Sequence, residues 1–238
     1  MLPTHIVKHI QDYCKANASE AIVKKYARYF KEGYDAYGLT AELQAELVNQ
    51  LVTEQNVTLP NVLEASHQLV QHGKYEETSI AILLLLKFKK QFTVDTFSHV
   101  EQWFDEGINN WAHTDSISGD VIAHFIQKGI ISYQNLSHWR TSSRPFKRRA
   151  VPVTLIKVLK LTNDYEPLLE FIDPLMMDPD RVVHQGLGWF LREAWKKQHE
   201  PIEGFLMQWK NEAPRLIFQY ATEKMTPDYK LRFRKGKP

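Results

Sequence analysis

The stretch Thr40-Ala41-Glu42-Leu43-Gln44-Ala45-Glu46-Leu47-Val48-Asn49-Gln50-Leu51 reads as one amphipathic helix. Leu43, Leu47, Val48 and Leu51 fall on a single face at helical spacing, and Thr40 ahead of Glu42 is a start signal. The same period continues in both directions. Ile6, Ile10 and Tyr13 make one stripe, Ile22, Tyr26, Tyr29 and Phe30 another, and Val62, Leu63, Leu69 and Val70 a third. Strict alternation of apolar and polar residues, the mark of a half-buried strand, is scarce. Breakers separate the stripes at Gly33 to Gly38, Leu59-Pro60, Gly73, Gly107, Gly129, Ser142-Ser143 and Asp178-Pro179. Arg144 before Pro145 and Asp178 before Pro179 stand where helices start. The pattern predicts roughly a dozen helices of about 12 to 18 residues with short loops. An all-α bundle, or a stack of antiparallel helix pairs, would bury their stripes.

There is no clean internal repeat and no convincing linker, so a single domain over residues 1–238 is expected. Residues 226–238 carry Lys230, Arg232, Arg234, Lys235 and Lys237 and are expected to be a basic, flexible tail. With 43% hydrophobic residues, the chain can bury a sizeable core. A net charge of +2 neither demands nor excludes a polyanion, so charge placement must decide. The single cysteine, Cys14, excludes an intrachain disulfide and fits a reducing compartment. The run Ile80 to Leu86 is too short to span a bilayer and ends at Lys87. The expectation is a cytoplasmic monomer with no membrane partner, no metal and no cofactor. His5 and His9 have ligand spacing, but no third ligand follows nearby. The chain has no HExxH pair, no Gly-rich phosphate loop, no GxSxG elbow and no readable Cys/His dyad.

Three islands carry the remaining chemistry: Asn109-Asn110-Trp111-Ala112-His113-Thr114-Asp115-Ser116, Arg144-Pro145-Phe146-Lys147-Arg148-Arg149-Ala150, and Leu187-Gly188-Trp189-Phe190-Leu191-Arg192-Glu193. Trp111 and Asp115, four apart, share one helix face. They read either as a sugar-packing ring beside a carboxylate, or as a core anchor beside a first-turn residue that complements the helix dipole. Arg140, Arg144, Lys147, Arg148 and Arg149 form a basic run at a helix start, where backbone N–H groups also favour anions. Either Arg148 or Arg149 must lie near the apolar face that follows, and an arginine held there needs a carboxylate or a phosphate. Gly186 and Gly188 imply close approach of a neighbouring helix or of a backbone from outside the protein.

Asn110-Trp111-x-x-x-Asp115-Ser116, Arg149-Ala150 leading an apolar helix, and Gly188-Trp189-x-Leu191-Arg192-Glu193 resemble the AlkD-like DNA alkylation repair family of HEAT-like repeat DNA glycosylases. The resemblance runs from about residue 20 to residue 225. It implies a HEAT-like helical-repeat solenoid with a concave basic face that grips duplex DNA containing alkylated bases. It further implies hydrolysis of the N-glycosidic bond of cationic alkylpurines such as 3-methyladenine and 7-methylguanine, without a base-flipping pocket. By carry-over, Asp115 would stabilise an oxocarbenium-like sugar and orient water, Trp111 and Trp189 would pack on the lesion nucleotide, and Arg149 would bind phosphate. The other readings are a non-catalytic binder of distorted or branched DNA on the same scaffold, and a protein-interaction solenoid. Two features depart from the family pattern. A single Trp111 follows Asn110 where paired aromatics are usual, and the segment Phe30 to Leu39 is looser than the usual Phe-Gly-Ile turn.

Overall fold

The computed structural model describes residues 1–31, 33–53 and 55–236, and among them there is no strand. The helices are α1 (Pro3–Ala16), α2 (Glu20–Ala27), α3 (Ala41–Thr53), α4 (Leu59–His72), α5 (Tyr75–Lys87), α6 (Val94–Glu106), α7 (Trp111–Ser116) and α8 (Ala123–Gln127). They continue as α9 (Pro145–Val158), α10 (Glu166–Ile172), α11 (Arg181–Trp195), α12 (His199–Trp209), α13 (Arg215–Ala221) and α14 (Pro227–Lys230). A π-helical stretch, Ile117–Ile122, stands between α7 and α8. Several helices are shorter than the sequence pattern predicts, because a stripe records which face is buried and not where capping ends a helix.

The start signals act as the sequence implies. The Leu43 N–H donates to Thr40 Oγ1 at the head of α3. Thr93 and Thr96 form a reciprocal capping box at the head of α6. Arg144 is the N-cap residue of α9 with Pro145 first inside, and Pro152 lies in that helix without ending it. At Asp178-Pro179 the helix begins later than expected, with Asp180 as its N-cap. The Asp178 carboxylate is turned elsewhere, onto Arg148.

The chain forms two compact units, Met1–Ile117 and Ser118–Pro238. In the first, α4 packs on α1, α5 and α6, and α5 on α3. Its core holds Ile6, Ile10, Leu47, Leu51, Leu69, Ile80, Leu85 and Trp103. Only Gly73 and Lys74 separate α4 from α5, so these two helices run antiparallel. Cys14 is buried, and burial pushes its thiol up to about 12, so it has no thiolate chemistry at neutral pH.

One stripe behaves differently. Helix α2 has no buried residue, and Tyr26 and Tyr29, expected in the core, are exposed. Phe30 alone of the group is buried. The segment after it is fixed by Glu76 of α5, whose carboxylate is fully buried. It accepts from the backbone N–H groups of Tyr37 (2.8 Å), Gly38 (2.7 Å) and Leu39 (3.1 Å). Gly38 has a φ of +85°, and a Cβ there would lie 2.2 Å from the Ser19 carbonyl oxygen.

In the second unit α11 packs on α9 and α13. Gly188 is the reason α13 can come so close: a Cβ there would stand 2.4 Å from Tyr220 Cβ and 2.7 Å from the Ile217 carbonyl oxygen. Gly186 faces the other way, where a Cβ would stand 3.2 Å from Arg149 Cγ. Both glycines therefore serve helix packing. The C-terminal segment, expected to fray, folds into α14 and a 3-10 turn whose Phe233 is fully buried. One apolar ring overrides the basic charge around it, and Arg232 is paired with Glu203.

Gly188→Ala should destabilise the protein by about 1–3 kcal/mol, the usual range for overpacking a close contact. Chemical denaturation checks this. An unchanged midpoint would show that α11 and α13 can separate freely.

Candidate functional site

Helix α7 starts at Asn110, whose side-chain oxygen accepts from the His113 N–H at 2.9 Å. This cap is the physical role of the residue that precedes Trp111. It also accounts for an unusual histidine. The Asn110 amide approaches His113 Nδ1 at 2.8 Å, and His113 Nε2 meets Ser79 Oγ at 2.9 Å. Ser79 donates onward to the Tyr75 carbonyl, 3.1 Å away. These partners assign Nδ1 as acceptor and Nε2–H as donor, a neutral ring. The ring stacks on Tyr75 with centroids 4.4 Å apart. Burial lowers the His113 pKa from 6.5 to about 3.

Trp111 is the first residue inside this cap and is 39% exposed. Its indole N–H donates to the Tyr29 carbonyl at 3.1 Å, and its ring stacks on Phe30 at 5.6 Å and 16°. Phe30 in turn stacks on Tyr34 at 4.6 Å and 14°. Tyr75 meets Phe30 edge-on at 5.3 Å. Trp111 is thus a surface ring stacked on Phe30, itself backed by Tyr34 and Tyr75, and not a core anchor. Asp115 is half-buried one turn further along the same face. It lies beyond the first turn of α7, so it is not the dipole-complementing residue that one reading of the sequence allowed.

The second unit separates the two neighbouring arginines. Arg148 is a structural cation: its Nε donates to Asp178 Oδ2 at 2.5 Å and its Nη2 to Asp178 Oδ1 at 3.1 Å. It also pairs with Asp180 and donates to the Ser142 carbonyl at 2.6 Å. The hydrogen bond to Asp178 is the main cause raising its pKa. Its expected phosphate role is therefore taken by protein carboxylates. Arg140 is likewise engaged, through the Ser137 and Phe171 carbonyls, both at 3.0 Å. Arg149 Nη1 donates to the Val182 carbonyl at 2.7 Å, and the arginine's stem lies against Gly186 on α11. Trp189, half-buried, follows on the same helix. Lys147 sits over the Trp139 ring at 5.3 Å, and Arg144 is exposed. Sequence reasoning missed Tyr29, Phe30 and Glu76. Two of them read as core stripe, and nothing local marks Glu76 as the anchor of a segment 37 to 39 residues earlier.

Stacked helices carrying an immobilised surface tryptophan define an all-α protein of the helical-repeat class. A family model described as DNA alkylation repair enzyme matches residues 10–225. The chain belongs to this family, and its role accordingly lies in DNA repair. Among solved structures, it is similar to one described as a predicted DNA alkylation repair enzyme from Enterococcus faecalis, with a TM-score of 0.74 and 15% identity, covering 89% of this chain and 98% of that one. It is also similar to AlkD2 from Streptococcus mutans, with a TM-score of 0.57 and 16% identity, covering 84% and 98%. The fold is thus the helical-repeat fold of AlkD type. No curated protein matches the chain.

The His113 pKa sets a pH dependence. The unfolded ring, with a pKa near 6.5, binds a proton that the folded ring refuses until about pH 3. Stability is therefore full above about pH 6.5 and falls as pH drops, by up to about 1.4 kcal/mol per unit in that window. Denaturation from pH 7 to pH 4 should show a shallower loss in His113→Gln than in the wild type. Equal slopes would mean that His113 accepts a proton in the fold.

Proposed function

We propose that the protein is a DNA glycosylase that removes cationic alkylated purines, such as 3-methyladenine and 7-methylguanine, from duplex DNA. The observation that carries this reading is the pair on α7: an exposed Trp111 fixed by Tyr29 and Phe30, with Asp115 one turn along on the same face. An immobilised ring suits the apolar face of a deoxyribose, and a carboxylate beside it suits positive charge developing on that sugar.

In the proposed reaction the bond between the sugar C1′ and the purine nitrogen breaks. Its electron pair leaves with the base, which neutralises the base's charge, so no general acid is needed. Asp115 stabilises the oxocarbenium-like sugar and orients a water, which adds to C1′ and loses its proton through the carboxylate. The products are a free base and an abasic site. In the second unit Trp189 is proposed to pack on a nucleotide, and Arg149, with Lys147 and Arg144, to contact phosphates. The protein is further proposed to act as a cytoplasmic monomer, associated with the nucleoid when bound to DNA.

Asp115→Asn keeps the shape and removes the charge. Single-turnover release of 7-methylguanine should fall on the order of 10²–10³-fold, with melting temperature and duplex affinity nearly unchanged. Release at the wild-type rate would remove Asp115 from the chemistry.

A further inference from the structure

Beside Trp111, within the first unit, lies a cleft of about 670 Å³, inside the usual size range of ligand sites of about 300–1,000 Å³. Its walls include Tyr26, Tyr29, Phe30, Tyr34 and Trp111, with Glu42 at another edge. Three of these rings are unusually open to solvent: Tyr26 at 41%, Tyr29 at 51% and Trp111 at 39%. Large aromatic side chains normally bury themselves, and several left open around one cleft mark a binding surface. Helix packing does not account for Tyr26, since α2 buries no residue at all.

The charge around the cleft points to its occupant. Over residues 20–32 the sequence carries Lys24, Lys25, Arg28 and Lys31 against Glu20 and Glu32. Lys25 Nζ stands 5.2 Å from the Tyr26 ring centroid and Arg28 Cζ 4.8 Å from that of Tyr29. Cations interleaved with rings make the surface that a nucleic-acid strand uses: phosphates meet the cations and bases stack on the rings. At the edge of the cleft the exposed carboxylate of Glu42 disfavours a phosphate. It accepts hydrogen bonds from amino groups, as acidic side chains do on base edges.

We propose that this cleft is a stacking subsite for one unstacked nucleobase that bears an exocyclic amino group, drawn from the strand held beside Trp111. The inference rests on the DNA repair reading and adds a subsite to it. The base lies on the Tyr26 and Tyr29 rings, with Phe30 and Tyr34 beneath and Glu42 at its amino edge. Lys24, Lys25, Arg28 and Lys31 follow the adjoining phosphates. A duplex with a base already displaced gains this contact directly, whereas a fully paired duplex must first unstack one.

The test compares two duplexes of the same sequence, one fully paired and one carrying a single unpaired 2-aminopurine, an amino-bearing base whose fluorescence falls on stacking. The wild type should bind the second about 5- to 150-fold more tightly, the span expected for one stacked base, and should quench its fluorescence. Tyr26→Leu/Tyr29→Leu should fold normally, because both side chains are exposed, and should lose both the preference and the quenching. Unpaired adenine should gain more than unpaired thymine, and Glu42→Gln should level the two. If the paired duplex binds and the unpaired base brings no gain, or the gain survives in the double variant, the cleft is not the subsite and the repair reading stands. If neither duplex binds, both fall.

Discussion

The candidate site depends on a carboxylate sealed inside the first unit. Glu76 is buried on α5 and receives three successive backbone N–H groups, from Tyr37, Gly38 and Leu39. Burying an isolated carboxylate costs several kcal/mol, so the arrangement persists because charge-assisted hydrogen bonds offset that cost. Glu77 beside it accepts from the Tyr37 hydroxyl at 2.7 Å and from Gln11 at 3.1 Å. The chain leading into this anchor carries Phe30 and Tyr34. They stack beneath Trp111, whose indole N–H is fixed on the Tyr29 carbonyl. The segment that looks loose in sequence is ordered from inside the core.

Much of the architecture is legible in the sequence, and the reason is local. The stripe of Leu43, Leu47, Val48 and Leu51, the Thr40 start and the Arg144-Pro145 start are read from neighbours within one or two turns, and the helices follow. The stripe of Ile22, Tyr26, Tyr29 and Phe30 has the same period, yet only Phe30 is buried. Periodicity reports a face and not what that face meets. Phe233 shows the converse: a basic segment that composition marks as frayed is held by one ring in the core.

The site residues divide along the same line. Trp111 and Asp115 share a face because of their spacing alone. The fates of Arg148 and Arg149 depend on partners about 30 residues away. Asp178 and Asp180 claim the first, while the second lies along Gly186 and the Val182 carbonyl. The sequence reads Gly188 as the mark of a close approach, by a neighbouring helix sooner than by an outside backbone, and α13 is the partner. Such long-range choices lie beyond any window of sequence.

Family membership places the chain in DNA repair, and the proposed glycosylase differs from a mere DNA binder in that it breaks a glycosidic bond rather than only holding damaged DNA. The most direct measurement is to incubate the wild-type protein in excess with methylated duplex DNA and to quantify released bases by chromatography. The account predicts free 3-methyladenine and 7-methylguanine, with abasic sites in matching amount. Tight binding of the same duplex with no base released above the uncatalysed background would contradict it.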